Sequence, residues 1–177
     1  SILILFTVGL ASDVDKSFDL PRNEEGKAEY SEVVQVPEAS KDELYTRGWS
    51  WFSKTFVSSK DVIQMNDKEA GKIIGKAAVE VQLTFLKKPA GWVNYTVALM
   101  FKDGRYKYIF DQFYHDGSGT SIKSGGELTK ERPKPNAWIN DRGWASIKQQ
   151  THEVINSLIG SLKNNMAKTI YNDEDNW

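Results

Sequence analysis

Two histidines, His115 and His152, are the only imidazoles in this chain, and there is no cysteine. His115 begins the segment His115-Asp116-Gly117-Ser118, which contains the residue types of a hydrolytic triad. Side chains that are adjacent in sequence seldom face one another, and the glycine spacing of a nucleophile elbow is absent around Ser118. We therefore interpret the segment as a polar turn after a strand. A hydrolase that uses His115 and Ser118 is kept as an alternative.

The other polar clusters lack the spacing of cofactor sites. Two distant histidines without cysteine do not favour a transition-metal site. The acidic run Asp173-Glu174-Asp175 lacks the glycine and distal glutamate of an EF-hand loop, so we interpret it as a solvated tail. The glycines at 117–126 are not followed by the lysine and helix of a phosphate loop. We predict no catalytic residue, no metal and no cofactor.

The composition narrows the class of protein. The 177 residues are 40% hydrophobic and 27% charged, which is the profile of one globular domain. The formal net charge is −1, so no global field would recruit nucleic acid or an anionic membrane. Without cysteine, disulfides, thiolate nucleophiles and iron–sulfur clusters are excluded.

The amino-terminal segment 1–12 is almost continuously apolar. It is shorter than the ~20 residues that a membrane-spanning helix needs. Gly9, Ala11 and Ser12 are small residues of the kind found at a signal-peptidase site. Because an initiator Met and a basic leader are missing, we expect the sequence to begin inside a secretory signal; the alternative is a buried first strand. The segment predicts an exported protein with no anchor through cysteine.

Hydrophobic periodicity predicts the first half of the fold. A polar lead-in over 13–28 precedes a strand at Tyr30–Val36. Ser40 and Glu43 have capping-box spacing and should start a helix. An aromatic-rich stripe follows, and we interpret it as core packing against a sheet rather than as a ligand cage. The stripe consists of Leu44, Tyr45, Trp49, Trp51, Phe52 and Phe56.

Four strands should follow this helix. A short strand over 62–67 and a turn over 68–71 precede a long alternation over 73–85. Pro89-Ala90-Gly91 is expected to break the chain before another alternation starts at Val93.

Asp103-Gly104 is a type I′ hairpin sequence between the last two strands. It fixes a register in which Lys102 opposes Arg105 and every further pair follows in step. The inner pairs are then Phe101 with Tyr106, Leu99 with Tyr108, and Val97 with Phe110.

The last third of the chain is expected to contain a loop and a long helix. Residues 115–143 are rich in Gly and Pro and should form a loop that Trp138 and Ile139 pin down. A helix over about 143–168 carries an apolar stripe, with His152 at its boundary. An acidic tail at 171–177 ends the chain. Both helices must cover one face of an antiparallel sheet, so we predict a two-layer α+β domain of order β-α-β4-α over 29–170.

In the order and spacing of these segments, the chain resembles a family of exported bacterial domains of unknown function with a TATA-binding-protein-like (TBP-like) fold. The resemblance covers roughly 30–115 and implies the fold and export, but no catalytic residue. The matching stretches are Tyr30–Val36, Asp42-Glu-Leu-Tyr45 with Trp49 and Trp51, Val62–Lys76, and Lys102–Tyr106.

The fold name suggests nucleic acid, but the predicted outer sheet face mixes lysines with Glu80 and Asp111. A groove-binding sheet needs a densely basic surface, so nucleic acid is not an expected partner.

The outer face of the sheet is the candidate site. It combines aromatic, Met and basic side chains, a mixture typical of recognition surfaces. We assign to it Trp92, Asn94, Thr96, Met100, Arg105, Lys107, Asp111 and Phe113. The alternative is an ordinary solvated face, or a face covered by the loop over 116–142.

The sequence thus predicts a non-enzymatic binding module in the periplasm or cell envelope of a Gram-negative bacterium. It has no predicted membrane span, and its partner would be a protein or a glycan. The second hypothesis is a carrier of a small apolar ligand, held in a cavity between the sheet and the final helix.

Overall fold

One strand and one helix precede a run of strands and a long final helix. The computed structural model describes residue 15 and residues 17–56, 63–83, 88–119 and 121–168. The expected signal segment and the expected acidic tail both lie outside these residues. In chain order the elements are β1 (Tyr30–Gln35), α1 (Lys41–Thr55), β2 (Ile63–Asp67), β3 (Lys72–Leu83), β4 (Lys88–Lys102), β5 (Arg105–Gly117), β6 (Gly126–Glu127), a 3-10 turn (Pro135–Ala137) and α2 (Asp141–Ala167).

The strands form one antiparallel sheet in the order β1-β5-β4-β3-β2. β6 pairs with the far end of β5, along the same edge that β1 occupies. The predicted α+β order of strand, helix, four strands and helix is confirmed, and the two-residue strand β6 is added to it.

Both helices pack on one face of this sheet, where the inward alternation of β3, β4 and β5 is buried. The predicted aromatic stripe of α1 lies in this core, with Leu44 and Phe52 fully buried. α2 covers the remainder of the same face with Trp144, Ile147, Ile155, Leu162 and Met166.

The hairpin between β4 and β5 has the predicted register. Lys102 lies opposite Arg105, and the pairs stay in step as far as Thr96 and Asp111. Gly104 has a φ of 72°, which a type I′ turn requires. Its N–H donates to the carbonyl of Ala39 at 2.9 Å, so the hairpin tip is tied to the start of α1.

The capping box at α1 is half formed. Ser40 is the N-cap and its hydroxyl accepts from the Glu43 N–H at 3.2 Å. The Glu43 carboxylate pairs with Arg47 one turn along the helix. Arg47 is buried and donates to the carbonyl of Met166, so this ion pair joins α1 to the end of α2.

A bulge in β5 corrects the predicted alternation. Gln112 has a φ of 58°, and the register shifts between Asn94 and Thr96. Beyond the bulge, Asn94 faces Tyr114, and Phe113 turns into the core, where it stacks on Tyr95 with ring centroids 6.0 Å apart. The assignment of Phe113 to the outer face is therefore wrong, because one extra residue reverses the faces of the strand.

A second irregularity corrects the expected break at Pro89-Ala90-Gly91. These residues lie inside β4, and a register shift between Val81 and Gln82 accommodates them. Gly91 has a φ of 114°, and a Cβ atom there would lie 2.0 Å from the Asp116 carbonyl oxygen. Glycine thus allows the strand to continue where the sequence suggested a break.

The segment after β5 is partly core. Ile122, Leu128 and Ala137 are buried, and Ile139 packs against the same cluster as predicted. Trp138 does not pin the segment, because it has a left-handed backbone (φ 62°) and its side chain is 77% exposed.

An ion pair attaches the segment that we expected to be a polar lead-in to α2. Lys148 of α2 is buried, and its Nζ lies 2.7 Å from Asp19 Oδ1. Burial opposes ionisation of Asp19, but hydrogen bonds from Lys148 and Arg22 outweigh it and lower the pKa of this carboxyl. Breaking such a pair would leave a buried ammonium without its counter-charge.

The approach of α1 to β4 yields the first prediction. A Cβ atom at Gly48 would lie 2.3 Å from the Phe101 ring, whereas at Gly160 of α2 nothing lies within 4 Å. Gly48→Ala should lower the free energy of unfolding by about 1–3 kcal/mol through overpacking. The control Gly160→Ala should raise it by up to about 1 kcal/mol, because alanine favours helix. Urea denaturation of both variants measures this difference, and equal stabilisation would contradict the close packing.

Candidate recognition surface

His115 is a buried structural residue in β5. The backbone N–H of Gly125 donates to Nδ1 at 2.9 Å, and Nε2 lies 3.0 Å from the Ala90 carbonyl oxygen. Since an N–H must donate, Nδ1 is the acceptor, and the proton on Nε2 donates to Ala90. The ring joins β5 to β4 and to the segment before β6.

This arrangement corrects the interpretation of His115 as part of a polar turn. Residues 115–117 belong to β5, and the His115 ring packs edge-on against Trp144 with centroids 5.9 Å apart. Burial lowers the pKa of this imidazole below its ordinary value of 6.5, although the Ala90 hydrogen bond and the Asp116 charge act in the opposite direction. With both ring nitrogens bound to backbone, neither is available to activate the Ser118 hydroxyl.

The second histidine is also structural. His152 is half-buried at the edge of the α2 stripe, as predicted, and its Nδ1 lies 2.9 Å from the Tyr30 hydroxyl. Among the residues that the structure describes, no three His, Asp or Glu side chains converge as metal ligands would.

The helix-free face of the sheet carries an apolar row that crosses four strands. Ile109 on β5, Ala98 on β4, Ile74 on β3 and Met65 on β2 are successive cross-strand partners, so their side chains share one face. Met65 is 45% exposed, and Ile109, Ala98 and Ile74 are half-buried.

Neighbouring positions widen this row. Met100 lies two residues from Ala98 along β4, and Lys107 lies between Met100 and the half-exposed Val33 of β1. We call the row together with Val33, Thr96, Met100 and the charged residues around it the central patch.

Basic side chains predominate around the row. Positive charges stand on β3, β4 and β5, whereas Asp67 and Asp111 carry the negative charges. Burial raises the pKa of Asp111, and the nearby charge of Glu29 adds to this effect. The charge of Lys27 acts in the opposite direction. On the strands the basic residues are Lys72, Lys76, Lys102, Arg105 and Lys107, five against two acidic residues, and Lys27 and Glu29 beside Asp111 add one charge of each sign.

The other end of the same face differs in chemistry. Trp92 is 48% exposed and lies between Asp116 of β5 and Glu80 of β3. The Asn94 side-chain amide donates to Asp116 Oδ2 at 2.7 Å. Tyr114 lies opposite Asn94, and Lys134 Nζ donates to its hydroxyl at 2.9 Å. We call Glu80, Trp92, Asn94, Tyr114, Asp116 and Lys134 the distal cluster.

The structure thus divides the predicted site. Thr96, Met100, Arg105, Lys107 and Asp111 belong to the central patch, Trp92 and Asn94 to the distal cluster, and Phe113 to the core. Sequence reasoning missed Val33, Met65, Asp67 and Lys72 in the central patch, and Tyr114, Asp116 and Lys134 in the distal cluster. Strand alternation could have placed Val33 and Met65, but Tyr114 required the bulge and Lys134 required the tertiary fold.

An antiparallel sheet with both helices on one face defines the chain as a two-layer α+β protein with a TBP-like fold. Residues 30–116 match the model of the family DUF4468, a domain of unknown function with TBP-like fold. The resemblance to domains of unknown function with a TBP-like fold is thereby confirmed.

Two crystal structures support the fold. A DUF4468 family protein from Bacteroides ovatus has a TM-score of 0.67 at 16% identity, covering 85% of this chain and 91% of that one. A TBP-like protein from Parabacteroides distasonis has a TM-score of 0.60 at 17% identity, covering 81% and 97%. No curated protein sequence matches the chain. Within the described residues, no helix is both long and apolar enough to cross a membrane.

The burial of His115 leads to a prediction for how the free energy of unfolding depends on pH. Because the pKa of His115 is lower in the folded state, the unfolded chain takes up a proton on this imidazole more readily than the folded chain does. The contribution of neutral His115 to the free energy of unfolding is therefore complete above the unfolded-state pKa. It is lost as pH falls through the folded-state pKa. The free energy of unfolding should decline below pH ~6.5, by at most ~1.4 kcal/mol per pH unit. Urea denaturation across this range measures the slope.

Two variants assign this slope to one residue. His115→Gln should be less stable near neutral pH and should lose the slope, whereas His152→Gln should keep it. A slope that persists in His115→Gln would show that another group titrates.

Proposed function

We propose that this chain is an exported, non-enzymatic binding module that contacts an acidic surface of a partner protein through its central patch. The observation that carries the proposal is the apolar row Ile109–Ala98–Ile74–Met65, which crosses the helix-free face of the sheet. Apolar and Met side chains within a polar rim are characteristic of protein interfaces.

The shape of the patch favours a protein over a small molecule. Small-molecule sites are concave, whereas this patch lies on the open face of a sheet. Two cavities in the described residues lie elsewhere: one of about 150 Å³ beside Phe18 and Trp144, and a groove of about 500 Å³ beside Tyr114 and Lys134. An open surface of this composition suits another folded surface.

The charges indicate the chemistry of the partner. Five basic side chains and two acidic ones on the strands surround the row, and Lys27 and Glu29 add one charge of each sign, so the excess is positive and an acidic rim on the partner would be complementary. Such charges chiefly accelerate association and fix its register, while the apolar row provides the buried centre.

Export is supported by the amino-terminal apolar segment 1–12 and by its small residues. The non-enzymatic assignment is supported by the state of His115, whose two ring nitrogens are held by backbone groups.

The carrier hypothesis gains no support from the packing between sheet and helix. Ile147, Ile155 and Leu162 of α2 are fully buried against the inner face, and the two cavities described above lie outside that layer. We therefore propose that the partner protein binds on the outer face of the sheet.

Native mass spectrometry after incubation with an envelope extract of the source bacterium tests this proposal. We expect an adduct of protein mass, and the affinity of that partner can then be measured with variants. Met65→Glu combined with Lys107→Glu removes apolar surface and reverses a charge, and it should weaken binding by at least about tenfold.

The matched control is Trp138→Glu combined with Lys123→Glu, which makes the same types of change at exposed positions outside the patch. It should bind like the unmodified protein. An adduct of lipid mass would favour the carrier instead. Equal binding by both double variants, or no adduct, would count against the central patch.

A further inference from the structure

The distal cluster presents an exposed aromatic ring beside hydrogen-bonding groups that are already oriented. Trp92 exposes 48% of its surface on the sheet face opposite the helices. It stands on β4, the middle strand of the path, so its backbone is fixed by pairing with both β3 and β5. A ring held in this way can contact a ligand without losing much conformational freedom.

Carboxylate and amide groups surround this ring. Glu80 and Asp116 are its direct cross-strand partners, and Asn94 is the next residue on the same face of β4. The Asn94 amide donates to Asp116 Oδ2 at 2.7 Å, which orients both planar groups. By their bonding capacity, the amide and the carboxylate can each also bond to a ligand, through an amide N–H, the amide oxygen or the second carboxylate oxygen.

Hydroxyl and ammonium groups extend the cluster toward a groove. Tyr114 is diagonal to Trp92 across the β4–β5 pair, a Cα separation of roughly 7–8 Å. Its hydroxyl accepts from Lys134 Nζ, whose charge also lies 5.3 Å from the centroid of the Tyr114 ring. Beyond Tyr114, the groove of about 500 Å³ runs between β6 and residues 130–134.

The charges of the cluster and groove nearly cancel. Four acidic groups, Glu80, Asp116, Glu127 and Glu131, accompany three basic groups, Lys130, Arg132 and Lys134. This balance does not favour a polyanionic or polycationic ligand. It favours a neutral ligand with one apolar face and many hydroxyl groups.

We propose that the distal cluster is a binding site for a neutral oligosaccharide. The C–H face of one sugar ring would stack on Trp92, while its hydroxyls would bond to Asn94, Asp116 and Glu80. Following sugar units would pass Tyr114 and enter the groove. Sugar rings combine an apolar face with peripheral hydroxyls, which is the chemistry that an indole beside carboxylate and amide groups recognises.

This site adjoins the proposed protein interface at Asn94 and Thr96, which are successive residues on the same face of β4, but its aromatic platform lies away from the apolar row. Trp92 lies six positions before Ala98 of the apolar row on β4, which corresponds to about 20 Å of strand. The two proposals can therefore fail independently.

NMR titration of the indole N–H signals tests the saccharide site, with neutral hexasaccharides of glucose, mannose, xylose and N-acetylglucosamine as probes at millimolar concentration. At least one probe should shift the Trp92 signal and leave the Trp138 signal in place. Trp92→Ala and Asn94→Ala should each weaken that binding about tenfold or more. Trp92→Phe should keep part of it, because an aromatic platform remains.

Trp138→Ala is the matched control, since Trp138 is a more exposed tryptophan outside the cluster, and it should bind like the unmodified protein. Thermal unfolding of each variant checks that the fold is intact. The proposal is overturned if no probe shifts Trp92, if Trp92→Ala binds as tightly as the unmodified protein, or if only peptides perturb the cluster.

Discussion

One-sided burial of an antiparallel sheet is the constraint on which the rest of this structure depends. The inner positions of β3, β4 and β5 carry large apolar and aromatic side chains, among them Leu99, Phe101 and Phe110, all nearly inaccessible to water. Burying each such side chain contributes roughly 1.5–3 kcal/mol, so α1 and α2 are both needed on the same face. The opposite face is left for other contacts.

The bulge at Gln112 changes what that other face contains. One extra residue reverses the alternation of β5, so Phe113 and His115 point inward while Tyr114 and Asp116 point outward. The inward residues fill the core near Trp144, where backbone groups occupy both nitrogens of His115. The outward residues join Trp92 and Asn94. A single backbone irregularity thus removes a candidate catalytic base and creates a candidate binding cluster.

The two ends of the outer face differ because different strands contribute to them. Near the hairpin, five strands lie side by side, and their apolar and basic side chains form a broad, open patch. At the far end, β1 has ended, and β6 takes its place beside β5. The segment after β6 brings Lys134 to Tyr114 and encloses a groove. An open patch and a bordered groove suit ligands of different size, which is why we assign them separately.

The amino-acid sequence alone predicts the order of the elements, the α+β class and the hairpin register, since these follow from local periodicity and from the Asp103-Gly104 turn. It also determined that Thr96, Met100 and Lys107 share a face, because they are close to that turn. Tertiary structure alone decided the positions beyond Gln112, where a positive φ at a non-glycine residue is not encoded by any local pattern. It likewise decided the burial of His115 and the meeting of Lys134 with Tyr114, because both depend on residues that are brought together only when the chain folds back beside β5.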